Sequence, residues 1–233
     1  LLDNEVFKKL LLYPKLIAEE NADNSKIIVI DEIQKIPQLL NEVHRLISNE
    51  NKKFLLTGSS ARKLKAEGTN LLAGRSWRAD LHPLTCNEIN KFDLLRYLNF
   101  GGLPQVYLSE EPTEELRAYT ALYLREEIQA EALTRNLQGF VQFLDIMALN
   151  NGEEVNFQSL SSDCGVPAST LKNYIQILED TLVGFSLKGY NRTKKRKAIS
   201  RIKHYFFDVG VANFLAKRGQ IKNKSELFGK AFE

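Results

Sequence analysis

A chain of 233 residues, 43% hydrophobic and 26% charged, is long enough for one or two packed domains and too balanced for a disordered or fibrous polypeptide. Its two cysteines, Cys86 and Cys164, supply neither a disulfide framework nor metal-ligand spacing, and no apolar run reaches the roughly 20 residues that span a bilayer. The formal net charge is only +3, but seven basic residues and no acid lie between Asn191 and Lys203, so the remainder of the chain is net acidic.

The first residues, Leu1 to Lys15, are interrupted by Asp3, Glu5 and Lys8 and lack a secretory layout. They predict a cytoplasmic protein with no membrane partner. Met147 is the only methionine, and the sequence stops at Phe232-Glu233 within a helical pattern. Both ends therefore predict a fragment of a longer protein.

Lys26 to Ile30 is a continuous apolar run that ends in Asp31-Glu32, as expected of a strand buried on both faces of a parallel sheet. Leu39, Val43, Leu46 and Ile47 then recur at helical spacing after Pro37. Lys53 to Thr57 reads as a second strand, so the unit is strand, helix, parallel strand. Leu64 to Leu72 is helical or irregular, and Trp77 to Leu81 is expected to be a third strand ended by Pro83. Residues 86–135 read as helical with a break at Phe100 to Leu108, and Glu114 to Arg135 reads as one long helix. From residue 137 a helix leads to a short helix over 157–164, a turn at Gly165-Val166-Pro167 and a second helix from Ala168 to Asp180. That is a helix-turn-helix pattern. Strands over Leu182 to Leu187 and His204 to Phe207 flank the basic block, which makes the block the wing of a winged helix. The expected fold class is α/β: a partial P-loop-type parallel sheet, a helical region and a winged helix-turn-helix. The expected boundaries are 1–85 for a partial ATPase core, 86–136 for a helical lid or linker, 137–207 for the winged helix and 208–233 for the start of a last domain.

Parallel α/β sheets bind ligands at the carboxyl ends of their strands. Asp31 is placed there to hold Mg²⁺ through water, and Glu32 to orient or deprotonate an attacking water. The second strand ends in Thr57-Gly58-Ser59-Ser60, where a hydroxyl could reach the γ-phosphate or the water as a polar sensor. Arg75, in the loop Leu71 to Trp77, has the charge that suits a developing phosphoryl group. Strands also end in acids merely because they reach the surface, and an arginine after a glycine is as often ion-paired or solvated. The loop GxxxxGK[ST] that cradles phosphates occurs nowhere, and the first 25 residues contain no glycine. The expectation is that this loop lies upstream in the parent protein and that the fragment itself does not hydrolyse ATP.

Several segments together resemble the prokaryotic AAA+-like ATPases with a C-terminal domain of uncharacterised function. They are Ile30-Asp31-Glu32-Ile33-Gln34-Lys35, Leu56 to Arg62, Leu71 to Arg75, His82-Pro83-Leu84, Gly101 to Leu108, Tyr123 to Ala132 and Lys203 to Leu215. The resemblance spans Lys26 to Glu233. It implies an ATPase that uses ATP and Mg²⁺, with Asp31 as the metal-associated acid, Glu32 as the catalytic acid and Ser59 or Ser60 as sensor. It also implies a nuclease-like α/β domain from near Tyr205, with Asp208 and Glu233 as its acids and its site incomplete in this chain. A homo-oligomer is compatible with the family, although Asp208 reads equally as a turn or cap residue.

The wing cations Arg192, Lys194, Lys195, Arg196 and Lys197 are expected to grip duplex DNA phosphates, while Lys172, Asn173 and Gln176 on the second helix reach base edges. Winged helices also serve protein contacts. The alternative is therefore a non-enzymatic DNA-binding or protein-interaction module with a degenerate ATPase scaffold.

Overall fold

β-Branched residues favour extended backbone, and Ile27–Ile30 forms β1. In this computed structural model residues 27–58, 74, 76–77, 79–123, 137–189 and 202–232 are described. They fall in two units, Leu1–Ala79 and Asp80–Glu233. In the first, β1 pairs in parallel with β2, Lys53–Leu56, with Ile27 opposite Lys53 and Ile30 opposite Leu56. The connection is α1, Leu39–Glu50. Ile28, Ile30, Phe54 and Leu56 pack on a buried cluster of Ile33, Ile36, Leu39, Leu40 and Leu46. The expectation of a strand buried on both faces is not met: Ile27, Val29 and Leu55 remain 61%, 59% and 55% exposed.

The expected third strand at Trp77 to Leu81 is not formed by its described residues, and Trp77 and Leu81 are fully exposed. A strand is held by its ladder, and the described residues of this stretch make none. Leu64 to Leu72 lies outside the described residues.

The second unit opens with turns over 86–93, where helix was expected. Three short helices follow: α2 (Leu94–Phe100), α3 (Pro104–Leu108) and α4 (Pro112–Ala118). Each start has a local cause. Asp93 accepts the Arg96 N–H (3.0 Å), and prolines open the other two, where a missing N–H costs nothing. The Arg96 guanidinium donates to the carbonyls of Tyr107 and Ser109 and so ties the end of α3 to α2. The expected single helix from Glu114 to Arg135 passes after Ala118 into a wider π-type turn, Tyr119–Tyr123. There the Thr120 hydroxyl donates back to the Leu116 carbonyl at 2.8 Å, a bond that loosens helical turns. Residues 124–136 lie outside the described residues.

The main core belongs to α5 (Leu137–Leu149), α6 (Phe157–Cys164) and α7 (Ala168–Asp180). Phe140, Phe143 and Tyr174 meet with ring centres 4.7–5.6 Å apart, all at most 1% exposed. Asn156 caps α6 by accepting the N–H groups of Gln158 and Ser159, and Gly165 ends it at φ 63°. Asn156→Ala is expected to cost about 1 kcal/mol in chemical denaturation. β3 (Gly184–Lys188) and β4 (Ile202–Phe206) form an antiparallel pair, and Glu154 bridges to Lys203 on the far side of β4. α8 (Val209–Leu215) and α9 (Glu226–Phe232) complete the described chain.

Candidate functional site

Two places carry the predicted site residues, one in each unit. In the first, β1 and β2 end side by side because their register aligns Ile30 with Leu56. The Thr57 N–H donates to the Ile30 carbonyl (3.0 Å), and the Ile33 N–H donates to the Thr57 carbonyl (3.0 Å). These bonds clamp Asp31-Glu32 over the end of β2. Glu32 takes the left-handed conformation, φ 55° and ψ 48°, which costs a non-glycine residue about 1–2 kcal/mol. Backbone strain of this kind concentrates at functional sites. In return the Glu32 N–H reaches Thr57 Oγ1 at 3.2 Å. The Thr57 hydroxyl in turn donates to Asp31 Oδ1, and the Gln34 amide donates to Glu32 Oε2.

Asp31 is exposed and Glu32 half-buried, so both carboxylates can reach a ligand. Hard oxygen donors of this kind suit Mg²⁺, which keeps several waters and is bound by one or two carboxylates together with substrate phosphates. Among the described residues no cluster of three or more His, Cys, Asp or Glu side chains could cage a metal. As two oxygen donors without a cage, Asp31 and Glu32 are of the kind that suits an ion shared with phosphates. Ser59, Ser60 and Arg75 lie outside the described residues. The sequence offered Thr57 only as one of the hydroxyls at the end of the second strand, and it gave Gln34 no role. Thr57 stood beside the more conspicuous serines, and Gln34 stood unassigned within the Asp31 to Lys35 motif.

In the second unit, Leu171, Tyr174, Ile175 and Leu178 face the core. Lys172, Asn173 and Gln176 are left on the exposed side of α7. The Lys172 ammonium lies 5.7 Å from the centre of the Phe157 ring, and Gln176 donates to Asp180 Oδ1 at 3.0 Å. Arg192, Lys194, Lys195, Arg196 and Lys197 lie outside the described residues, between β3 and β4. At the base of that hairpin His204 is completely buried. Its Nδ1 is 3.1 Å from the Ser186 hydroxyl, its Nε2 has no hydrogen-bond partner, and burial pushes its pKa down to about 4.

Asp208 does structural work. Its Oδ1 accepts the Val211 N–H (3.0 Å) as the cap of α8, and its Oδ2 accepts the Gly102 N–H (2.7 Å). A Cβ on Gly101, at φ 78°, would overlap this carboxylate, and one on Gly210 would overlap the Phe100 backbone. The Gly101 to Leu108 and Lys203 to Leu215 segments thus meet in one contact. Burial pushes the Asp208 carboxyl up from the usual carboxylate range, against the downward pull of the amide bonds. Glu233 lies outside the described residues. No helix among the described residues is long and apolar enough to cross a membrane.

Two family models match the sequence. An AAA domain covers residues 1–90, and a domain of unknown function (DUF8612) covers residues 91–222. The first 90 residues are accordingly AAA-like. An uncharacterised protein of Methanocaldococcus jannaschii is 26% identical over 219 residues, covering 82% of this chain and 48% of the relative. An uncharacterised protein of Haemophilus influenzae is 26% identical over 229 residues, covering 89% of this chain and 57% of the relative. The chain spans about half the length of the curated relatives it matches. No solved structure matches it significantly.

Proposed function

The chain belongs to the family of that domain of unknown function, with an AAA-like segment ahead of it, and we propose that it is part of an AAA-type ATPase coupled to a DNA-binding winged helix. The observation that carries the ATPase half is the acid pair at the carboxyl end of β1, cross-tied to Thr57 at the end of β2. Asp31 holds the metal through water, and Glu32 orients the attacking water and takes its proton. Ser59 or Ser60 senses the γ-phosphate, and Arg75 faces the charge that develops on it. Bound Mg²⁺ supplies neutralisation of the phosphate oxygens during transfer. The 233 residues contain no GxxxxGK[ST] loop, and on this reading hydrolysis by the whole protein depends on one outside them, so the 233-residue chain alone is expected to hydrolyse little or no ATP. Reading the upstream sequence for GxxxxGK[ST] is the first check. In the full-length protein, Glu32→Gln should then abolish turnover. Glu32-dependent hydrolysis by the 233-residue chain would contradict the assignment of the missing loop.

The DNA-binding half is supported by the order of elements: three helices, α5 to α7, then a hairpin whose β4 lies between β3 and the Glu154 segment. In a winged helix of this topology α7 enters the major groove and the residue 189–201 connection follows the backbone. Lys172, Asn173 and Gln176 then face base edges, and Arg192 and Lys194 to Lys197 face phosphates. Each phosphate contact adds about 0.9 to the slope of log affinity against log salt. Replacing Lys194, Lys195, Arg196 and Lys197 by alanine should therefore flatten that slope by up to about 3–4 for duplex DNA. An unchanged affinity and slope would remove the wing from the interface.

One observation favours a second reading, a non-enzymatic DNA-binding or protein-interaction module on a degenerate ATPase scaffold: no phosphate-binding loop occurs in this sequence. It requires that the full-length protein also lack the loop and not turn over ATP. A protein-interaction role would show as partner binding that salt does not weaken.

A further inference from the structure

Gln34 is 8% exposed, on the 3-10 turn Ile33–Lys35, between the core residues Ile33 and Ile36. A buried amide is costly unless it is hydrogen-bonded, and this one donates through Nε2 to Glu32 Oε2. Its other end lies against β2's carboxyl end: a Cβ on Gly58 would stand 2.5 Å from Gln34 Oε1. The amide is therefore lodged between the Glu32 carboxylate and the Gly58 backbone. The left-handed backbone of Glu32 fixes the other end of the same side chain. Asp31 has its own donor, the Thr57 hydroxyl. The two carboxylates are thus held by different donors, Thr57 for Asp31 and Gln34 for Glu32.

We propose that Gln34 is a positioning residue for Glu32. It fixes the direction of the Glu32 carboxylate toward the end of β2, where the attacking water must stand, and Gly58 is the spacer that lets it do so. This rests on the assignment of Glu32 as the group that orients and deprotonates water.

The amide can be displaced in two independent ways. Gln34→Ala removes it. Gly58→Ala pushes its flexible end aside without backbone strain, because Gly58 is not in the left-handed region. In the full-length protein both variants should lower kcat about 10- to 100-fold, the scale set by misplacing a reacting group, with KM for ATP nearly unchanged. Adding Gln34→Ala to Glu32→Gln should cost nothing further.

The 233-residue chain gives a readout that needs no activity. In two-dimensional NMR, the Gln34 side-chain NH₂ signals should shift on Glu32→Gln and on Gly58→Ala, with the Leu39 and Leu46 methyl signals unmoved. Unmoved NH₂ signals, or wild-type kcat in both Gln34→Ala and Gly58→Ala beside an inactive Glu32→Gln, would overturn the positioning role. Wild-type kcat in Glu32→Gln, or no turnover by the full-length protein, would instead bring down the underlying assignment of Glu32, and the inference with it.

Discussion

Asp208→Ala is expected to destabilise the Asp80–Glu233 unit by about 2–4 kcal/mol, read as a fall in its urea midpoint. Asp208 is 4% exposed, and its carboxylate accepts the N–H of Gly102, 106 residues away, and that of Val211, three residues on at the start of α8. Alanine leaves both N–H groups buried without an acceptor, at about 1–3 kcal/mol each. Against that, removing the acid also relieves an unfavourable burial. The folded pKa of Asp208 is raised, so its stabilising contribution is full below the unfolded value near 3.8 and is lost as pH rises through the folded value. The net loss at neutral pH is therefore smaller than the two orphaned amides alone would give. Gly210→Ala should do comparable damage by a different route, since its Cβ would overlap the Phe100 backbone and push α8 off α2. Midpoints within about 0.5 kcal/mol of wild type for both variants would show that this contact does not hold α2 to α8.

The stability of the same unit should also fall by about 3 kcal/mol between pH 6.5 and pH 4, through His204. The ring is fully buried, and its pKa drops from 6.5 to about 4 because burial disfavours the cation. The depressed value means that the unfolded chain binds the proton first. Stability is then complete above pH 6.5 and is lost as pH falls toward 4, at about 1.36 kcal/mol per pH unit. Protonation would put a charge beside the Ser186 hydroxyl and close to Gly184. His204→Gln should flatten this limb. Asp208 slopes the other way above its unfolded value, so the pH series is best run in the Asp208→Asn background as well. An unaltered acid limb in His204→Gln would assign the loss to other groups.

Local chemistry made some elements legible from sequence. α6 and α7 occupy the expected residues because Asn156, Gly165 and Pro167 mark their ends and the apolar spacing of Leu171, Tyr174, Ile175 and Leu178 marks the buried face. The two parallel strands were legible because both are apolar runs that end in polar groups. The described residues of Trp77 to Leu81 form no strand, because alternating apolar and charged residues become one only with a partner, and local sequence does not name it. The long helix from Glu114 runs through Ala118 into the wider turn at Tyr119–Tyr123, where Thr120 bonds back to its own turn, and its remaining residues lie outside the described ones.

The sequence by itself therefore determined the parallel strand pair, the acids that end its first strand, and the two helices on either side of the Gly165 turn, because each is encoded within a few residues. It also determined that no phosphate-gripping loop lies in these 233 residues. Only the tertiary structure decided what holds the acids. Thr57 reaches Asp31 and Glu32 from 26 and 25 residues away, and Gly58 leaves room for Gln34. It likewise decided that Asp208 binds Gly102, 106 residues distant. Such contacts depend on which strand ends and helix ends the fold brings together, and no local pattern of residue types carries that information.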